Sequence, residues 1–377
     1  MADSNNTTDL VLPIVDLAPF LTDASSPIAH AQCLVAANAL ITYGAVLVHD
    51  PRVPHAANDA FLDLLEDYFA QPTALLARDQ RPELGYQVGV TLENTERPRC
   101  ASHAPCLATI ARLDPAERPL DIISAPAADP KSRFFWRIGD PPAAADTAFP
   151  LLNAHNVIPD IAACDIKTRW PATMSLWGTT MRGAVDTLAD MLAVGLGLEP
   201  LVFRAAGARG AHLLAPTASD LHRHGKLDTV LAGFHTDLNF LTIHGRSRYP
   251  GLNIWARNTG RRIAVRIPQG NYLLVQAGTQ LEHVTGGLIR AGYHEVVVNK
   301  ATLAAVERRQ REAPDRPLIR ISSTFFWHLE SDYTMRPIEE CVRRARELEK
   351  GKDIGPDRGY DGGEGYPEMK VGEFVQK

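Results

Sequence analysis

Hydrophobic positions change their period part-way along the chain. In the first part they recur at helical spacing. Between Asn58 and Phe69, the residues Phe61, Leu64, Leu65 and Tyr68 fall at i, i+3, i+4 and i+7. That spacing predicts an amphipathic helix, which Pro72 ends. An Ala-rich run over 28–43 predicts another helix. Met181, Val185, Leu188 and Leu192 mark a third and longer one, closed by the glycines of VGLGLEP. Two strand-like stretches stand among them. LPIVDLAPFL (Leu12 to Leu21) predicts a short strand and a turn, and AVLVHD after residue 44 is apolar enough for burial on both faces. The region 72–170 is rich in Pro and Ala and shows no clean period.

From about residue 228 the texture becomes one of short apolar segments with turn residues between them: TVLAGF, FLTIHG, LNIWA, IAVRI, YLLVQAG, AGYHEVVV and IRISSTFFW. In IAVRI the alternation is strict, with Ile263, Val265 and Ile267 on one face and Ala264 and Arg266 on the other. Many short strands with Gly, Pro and Asn punctuation predict a sandwich or a jelly roll. A helical insert, ATLAAVERRQRE, precedes the last strand. Pro337 to Lys350 predicts a charged surface helix, and the final residues, with seven glycines, predict a tail or loop. The expected organisation is a helical half over 1–225 packing on the core, a jelly-roll core over 226–335, and a C-terminal helix and Gly-rich tail over 336–377.

Composition narrows the function classes. The 377 residues are 45% hydrophobic and 22% charged, ordinary for a globular protein, and the net charge of −5 gives no electrostatic case for nucleic acid or an anionic membrane. No apolar run reaches membrane-spanning length, and the opening MADSNNTTDL has neither a basic n-region nor an apolar h-region. A cytoplasmic location is expected. The five cysteines are scattered, with no CxxC pair, so reduced thiols are expected in place of a disulfide framework or a thiolate zinc site.

Against that background GFHTDLNF stands out, because it puts a histidine and a carboxylate two residues apart in a strand-like stretch. Side chains at i and i+2 of a strand share a face, so His235 and Asp237 project together. Thirteen histidines make one chance H-x-D unremarkable, and a satisfied core histidine is the bland alternative. A second histidine, His294 in AGYHEVVV, lies on another predicted strand that a rolled sheet can bring beside the first. Two histidines and one carboxylate occupy one face of an octahedron and leave three positions open, the facial triad of non-haem Fe(II) oxygenases. On the last strand, Arg320 and Ser322 of RIS also share a face. An inward guanidinium with a neighbouring hydroxyl suits a carboxylate, the alternative being a buried Asp or Glu partner.

The order HTD, PGLNIW, GG before AGYH, then RIS resembles the isopenicillin N synthase-like Fe(II)/2-oxoglutarate-dependent oxygenases. LPIVDLAPFL is similar to that family's N-terminal PxIDL strand, YGAVLVHDPRVP to its GFFxxxNHGV segment, and YFAQP to the helix end marked FFxLP. The resemblance implies an α+β fold with a mainly β core, a double-stranded β-helix (jelly roll) covered by N-terminal helices. It implies Fe(II) held by His235, Asp237 and His294, with 2-oxoglutarate anchored by Arg320 and Ser322 and O2 as co-reactant. The implied reaction oxidises a C–H bond of a small organic molecule by hydroxylation, desaturation or ring closure. Three departures stand out. HLLAPTASDLHRHG has no counterpart of the NxYPPC segment, Gly278-Thr279 replaces the usual Gly-Asp, and Glu295 follows the second histidine in place of Arg.

Rival readings are an isopenicillin N synthase-type oxidase that uses O2 without 2-oxoglutarate, a Zn²⁺ hydrolase on the same ligands, and a non-catalytic metal-binding protein on the same fold. Among the other histidines, His328 pairs with Glu330 across one residue but has no histidine after it. His283 is expected at the pocket or behind the ligands, His222 and His224 at the surface, and His244 in a structural role. KSRFFWRIGD is expected to contribute to the substrate pocket. Neither the substrate nor the oligomeric state follows from the sequence.

Overall fold

The computed structural model describes residues 11–120, 128–350 and 365–376. The polar N-terminal lead and most of the Gly-rich stretch after Lys350 lie outside them. The core is a double-stranded β-helix made of one large and one small sheet. The large sheet runs Ile14–Asp16, Ala45–His49, Tyr272–Ala277, Leu241–His244, Thr324–Trp327, Leu213–Leu214, Ser132–Arg137, Thr217–Asp220 and Ile319–Ser322. Gly89–Thr91 pairs onto Ser132–Arg137. Only the first pair is parallel. The small sheet runs Arg262–Ala264, Leu252–Trp255, Tyr293–Val297 and Val230–His235, all antiparallel. Both sheets interleave strands from distant parts of the chain, and the large one draws on strands from before and after residue 226.

The helices form where the periodicity places them. Pro27–Tyr43 starts with Pro at its first position behind a Ser26 cap, and His55–Phe69 carries the Phe61/Leu64/Leu65/Tyr68 stripe inward. The long helix Ile166–Gly195 packs against both, and against Leu241–His244 and Thr324–Trp327 of the large sheet. Its last residue must be glycine. A Cβ there would stand 2.1 Å from the Cys33 carbonyl oxygen. Two indole hydrogen bonds tie the same helix to the sheet. Trp177 Nε1 donates to Ser323 Oγ at 2.7 Å, and Trp327 Nε1 donates to Asp186 Oδ1 at 2.7 Å. Ser323 thereby interrupts IRISSTFFW, which forms two strands in separate parts of the sheet instead of one.

Other differences from the expectations have equally local causes. After Ile14–Asp16, Pro19 starts a short helix, Ala18–Thr22, in place of a turn. Region 72–170 supplies the helix Ala104–Arg112 and the two strands already named. Within the expected tail or loop, residues 369–375 carry secondary structure of their own. Met369–Lys370 pairs with Thr334–Met335, and the short helix Val371–Val375 buries Val371 and Phe374. The expectation of five reduced thiols is corrected for two of them, because Cys100 and Cys106 form a disulfide across the start of Ala104–Arg112. Among the described residues no helix is long and apolar enough to cross a membrane.

Helical layer and β core are also joined by charge. Glu66, 1% exposed on His55–Phe69, receives Arg248 at 2.7 Å, Arg309 at 3.0 Å and Arg316 at 3.0 Å. Asp63 and Asp67 share the flanking guanidinium groups. A carboxylate taken out of water is tolerable only while its partners stay. Glu66→Ala therefore leaves three guanidinium groups facing one another, and a loss of about 3 kcal/mol in urea unfolding is expected. An unchanged midpoint and slope would show that the network contributes nothing.

Candidate metal centre

His235 ends the strand Val230–His235, and His294 sits directly opposite it on Tyr293–Val297. The two imidazole centroids are 4.1 Å apart. Asp237 follows where the first strand turns away, its Oδ1 3.6 Å from His235 Nε2 and its Oδ2 3.8 Å from His294 Nε2. One donor atom from each of the three residues lies within 4.8 Å of the others, and no other such group is found among the described residues.

Neighbours set the chemical form of each donor. His235 Nδ1 donates to the Gly233 carbonyl at 2.6 Å, which leaves the Nε2 lone pair directed at Asp237 and His294. Burial, reinforced by His294, pushes the His235 pKa well below its ordinary value, so the ring is neutral and fit to ligate. Burial works against the charge on Asp237. The 2.6 Å hydrogen bond from Thr242 Oγ1 to Oδ2 favours it, and the carboxyl stays below its ordinary range. Two imidazole nitrogens and one anionic oxygen are a donor set for a borderline divalent cation.

The backbone of the Asp237 turn is clamped from one side. Thr279 N donates to the Asp237 carbonyl at 2.9 Å, and Gln280 N to the Asn239 carbonyl at 3.1 Å. Gly278 makes this approach possible, since a Cβ there would stand 1.9 Å from the Asn239 oxygen. Glu295, where the resemblance expected Arg, faces away from the trio. It accepts from Asn253 Nδ2 at 3.1 Å and from Leu120 N at 3.2 Å, and burial raises its pKa to about 6.

Arg320 and Ser322 stand side by side on Ile319–Ser322, with Arg320 Nη1 donating to Ser322 Oγ at 2.6 Å. Arg320 is 5% exposed, and its other hydrogen bond goes to the Pro250 carbonyl. Among the described residues no carboxylate pairs with it. Burial alone pushes its pKa down to about 10, so it remains charged. His244 lies between, bonded to Gln276 Oε1 at 3.0 Å and to Thr324 Oγ1 at 3.3 Å, and 6.2 Å from the His294 ring.

A cavity of about 270 Å³ opens on the His235–Asp237 side, walled by Phe135, Leu213, Leu238, Phe326 and Val375. The expected pocket segment is there: Lys131, Arg133 and Phe135 line it. His328 lines it as well, although its pairing with Glu330 had pointed to no role there. His283 is not at this cavity. Its Nε2 bonds the Pro367 carbonyl at 2.7 Å, and its ring meets Tyr366 and Phe374, so it fastens the C-terminal segment. His224 pairs with Glu93 at 3.2 Å, and His222 is exposed, as surface residues should be. Thr242 and the Gly233 carbonyl escaped the sequence reading because nothing in a single chain distinguishes them from ordinary strand residues.

No protein-family profile matches the chain. A curated relative, jasmonate-induced oxygenase 4 of Arabidopsis thaliana, is 24% identical over 189 residues, which are 48% of this chain and 48% of that protein. The match thus spans about half the relative's length. Among solved structures, Neurospora crassa T7H in complex with alpha-KG superposes with a TM-score of 0.69 at 17% identity, covering 98% of this chain and 96% of that one. A Caulobacter crescentus protein described as of the 2OG-Fe(II) oxygenase family gives 0.68 at 20% identity over 97% of both chains. JOX2 in complex with 2OG, Fe and JA gives 0.59 at 16% identity, over 97% of this chain and 84% of that one. These likenesses establish the fold.

Metal titration tests the trio directly. Asp237→Ala and His294→Ala are expected to lose at least a hundredfold in Co(II) affinity by calorimetry while the far-ultraviolet circular dichroism stays unchanged. Thr242→Val, which frees only the carboxylate's orientation, is expected to lose about tenfold. Wild-type affinity in Asp237→Ala would dismiss the site.

Proposed function

We propose that the chain is an isopenicillin N synthase-like, non-haem Fe(II), 2-oxoglutarate-dependent oxygenase that oxidises a C–H bond of a small organic molecule. The observation that carries this reading is the buried, carboxylate-free Arg320 beside Ser322, on the same interior as the His235, Asp237 and His294 trio. A lone trio suits any divalent cation. A trio with a buried guanidinium that no carboxylate pairs with also asks for an anionic co-ligand.

In this reading His235 and His294 bind Fe(II) as neutral imidazoles, and Asp237 supplies the single anionic oxygen. Arg320 and Ser322 take the far carboxylate of 2-oxoglutarate, the guanidinium gaining the anionic partner it otherwise lacks. Fe(II), with 2-oxoglutarate and O2, supplies the oxidising power that no side chain has. The chain's contribution is position and shelter. Thr242 fixes the Asp237 carboxylate, the Gly278–Gln280 backbone fixes its turn, and the apolar walls of the cavity keep water from the reacting C–H bond.

Anaerobic titration of 2-oxoglutarate into the Fe(II)-loaded protein is expected to give a saturable visible charge-transfer band. In Arg320→Ala the midpoint should rise at least tenfold, with Fe(II) affinity unchanged. Iron bound without any band would favour the oxidase reading. An unaltered midpoint in Arg320→Ala would assign Arg320 a structural role.

A further inference from the structure

His328 is held by an unusual number of buried partners for a residue that the trio does not use. Its backbone N–H donates to His212 Nδ1 at 3.1 Å, and His212 Nε2 is itself committed to the Gly207 carbonyl at 2.9 Å. Its ring Nδ1 lies 3.0 Å from Gln280 Nε2. The Gln280 amide cannot be turned round, because its Oε1 accepts the Leu329 backbone N–H at 3.0 Å. Gln280 therefore donates, His328 Nδ1 accepts, and the ring's proton sits on Nε2. Burial, with the charge of Arg137 close by, pushes the His328 pKa down to about 4, so the ring is neutral at physiological pH. Nε2–H has no partner among the described residues, and His328 lines the cavity beside Asp237. The outcome is a hydrogen-bond donor of fixed tautomer with nothing to donate to.

The charges around that donor show one sign in excess. Arg97, Lys131 and Arg133 line the cavity, against Glu96 and Asp129 once Asp237 is set aside as a candidate ligand. Glu96 is shared by Lys131 at 3.4 Å and Arg133 at 3.2 Å, and Asp129 holds Lys131 at 2.6 Å. Arg137 adds positive potential behind. It lies opposite Leu213, on the sheet face that lines the cavity, and its Nε and Nη1 are buried without a hydrogen-bond partner.

Resting on the function proposed above, we infer that the substrate is a small monocarboxylate with an apolar body, and that His328 Nε2–H receives one of its carboxylate oxygens. Phe135, Leu213, Leu238 and Phe326 enclose the apolar part, and the cationic wall carries the charge balance. A donor locked in one tautomer discriminates sharply, because a group that cannot accept leaves it buried and unpaired. The role is one of specificity. His328 orients the substrate and takes no part in proton transfer.

The test uses the full chain loaded anaerobically with Fe(II) and 2-oxoglutarate. Phenylacetate, 3-phenylpropionate and octanoate are titrated against their primary amides, and binding is followed by the shift of the visible band and by saturation-transfer NMR. At least one acid is expected to bind ten times or more tighter than its amide. His328→Phe should erase that preference with the 2-oxoglutarate midpoint unchanged, and His328→Gln, which keeps an N–H near the Nε2 position, should restore part of it. Nitrogen-15 imidazole spectra should show His328 protonated on Nε2 alone at pH 7. If no acid binds more tightly than its amide, if His328→Phe keeps the preference, or if the proton lies on Nδ1, the inference is overturned. Failure of the band itself would instead overturn the proposed function.

Discussion

The site depends first on a register. Val230–His235 and Tyr293–Val297 pair so that His235 and His294 stand opposite one another. Side chains alternate across a strand, so a slip by one residue would send one imidazole to the outer face and bring Glu295 inward in its place. What resists the slip lies on that outer face. Phe234 stacks on Tyr293 with centroids 4.4 Å apart and meets the edge of Trp255, so each histidine is backed by an aromatic neighbour in the sequence. Glu295 is likewise held by Asn253 and the Leu120 backbone. The two faces of one small sheet thus enforce each other.

A second constraint is electrostatic. The interior contains several ionisable groups, and burial alone would neutralise most of them. Where a charge persists, something specific keeps it. Asp237 has the Thr242 hydroxyl, and Glu66 has three arginines. Arg320 is an exception, as is Arg137, since the hydrogen bonds of Arg320 go only to a hydroxyl and a carbonyl and Arg137 Nε and Nη1 have no partner among the described residues. Proteins rarely leave a guanidinium so, and an incoming anion resolves the imbalance without any rearrangement of the strand.

Much of this was legible in the residues. His235, His294 and the R-x-S pair lie on strands, as the two-residue period expects, whereas Asp237 lies past the end of its strand and reaches His235 through the turn. The helix from Asn58 was legible because one polar-apolar stripe decides it. The remainder rests on partners far apart in sequence. Ser323 breaks the last long strand because Trp177 arrives to bond it, and no local pattern announces that. The same holds for His283, whose partner is a carbonyl at Pro367, and for His328, whose meaning depends on Gln280. The 72–170 region resisted because its short elements take their shape from the sheet they join, with little period of their own.

The docked C-terminal segment has a practical side. Val375 belongs to the cavity wall, and the helix that carries it is seated by Phe149 against Gly372, where a Cβ would come within 2.3 Å of the ring. Anything joined to the chain after Val375 therefore begins next to the cavity. An affinity handle or fluorescent reporter fused there would share space with incoming ligands. For a protein whose ligands are to be found by screening, occupying that position is already a choice about what can bind.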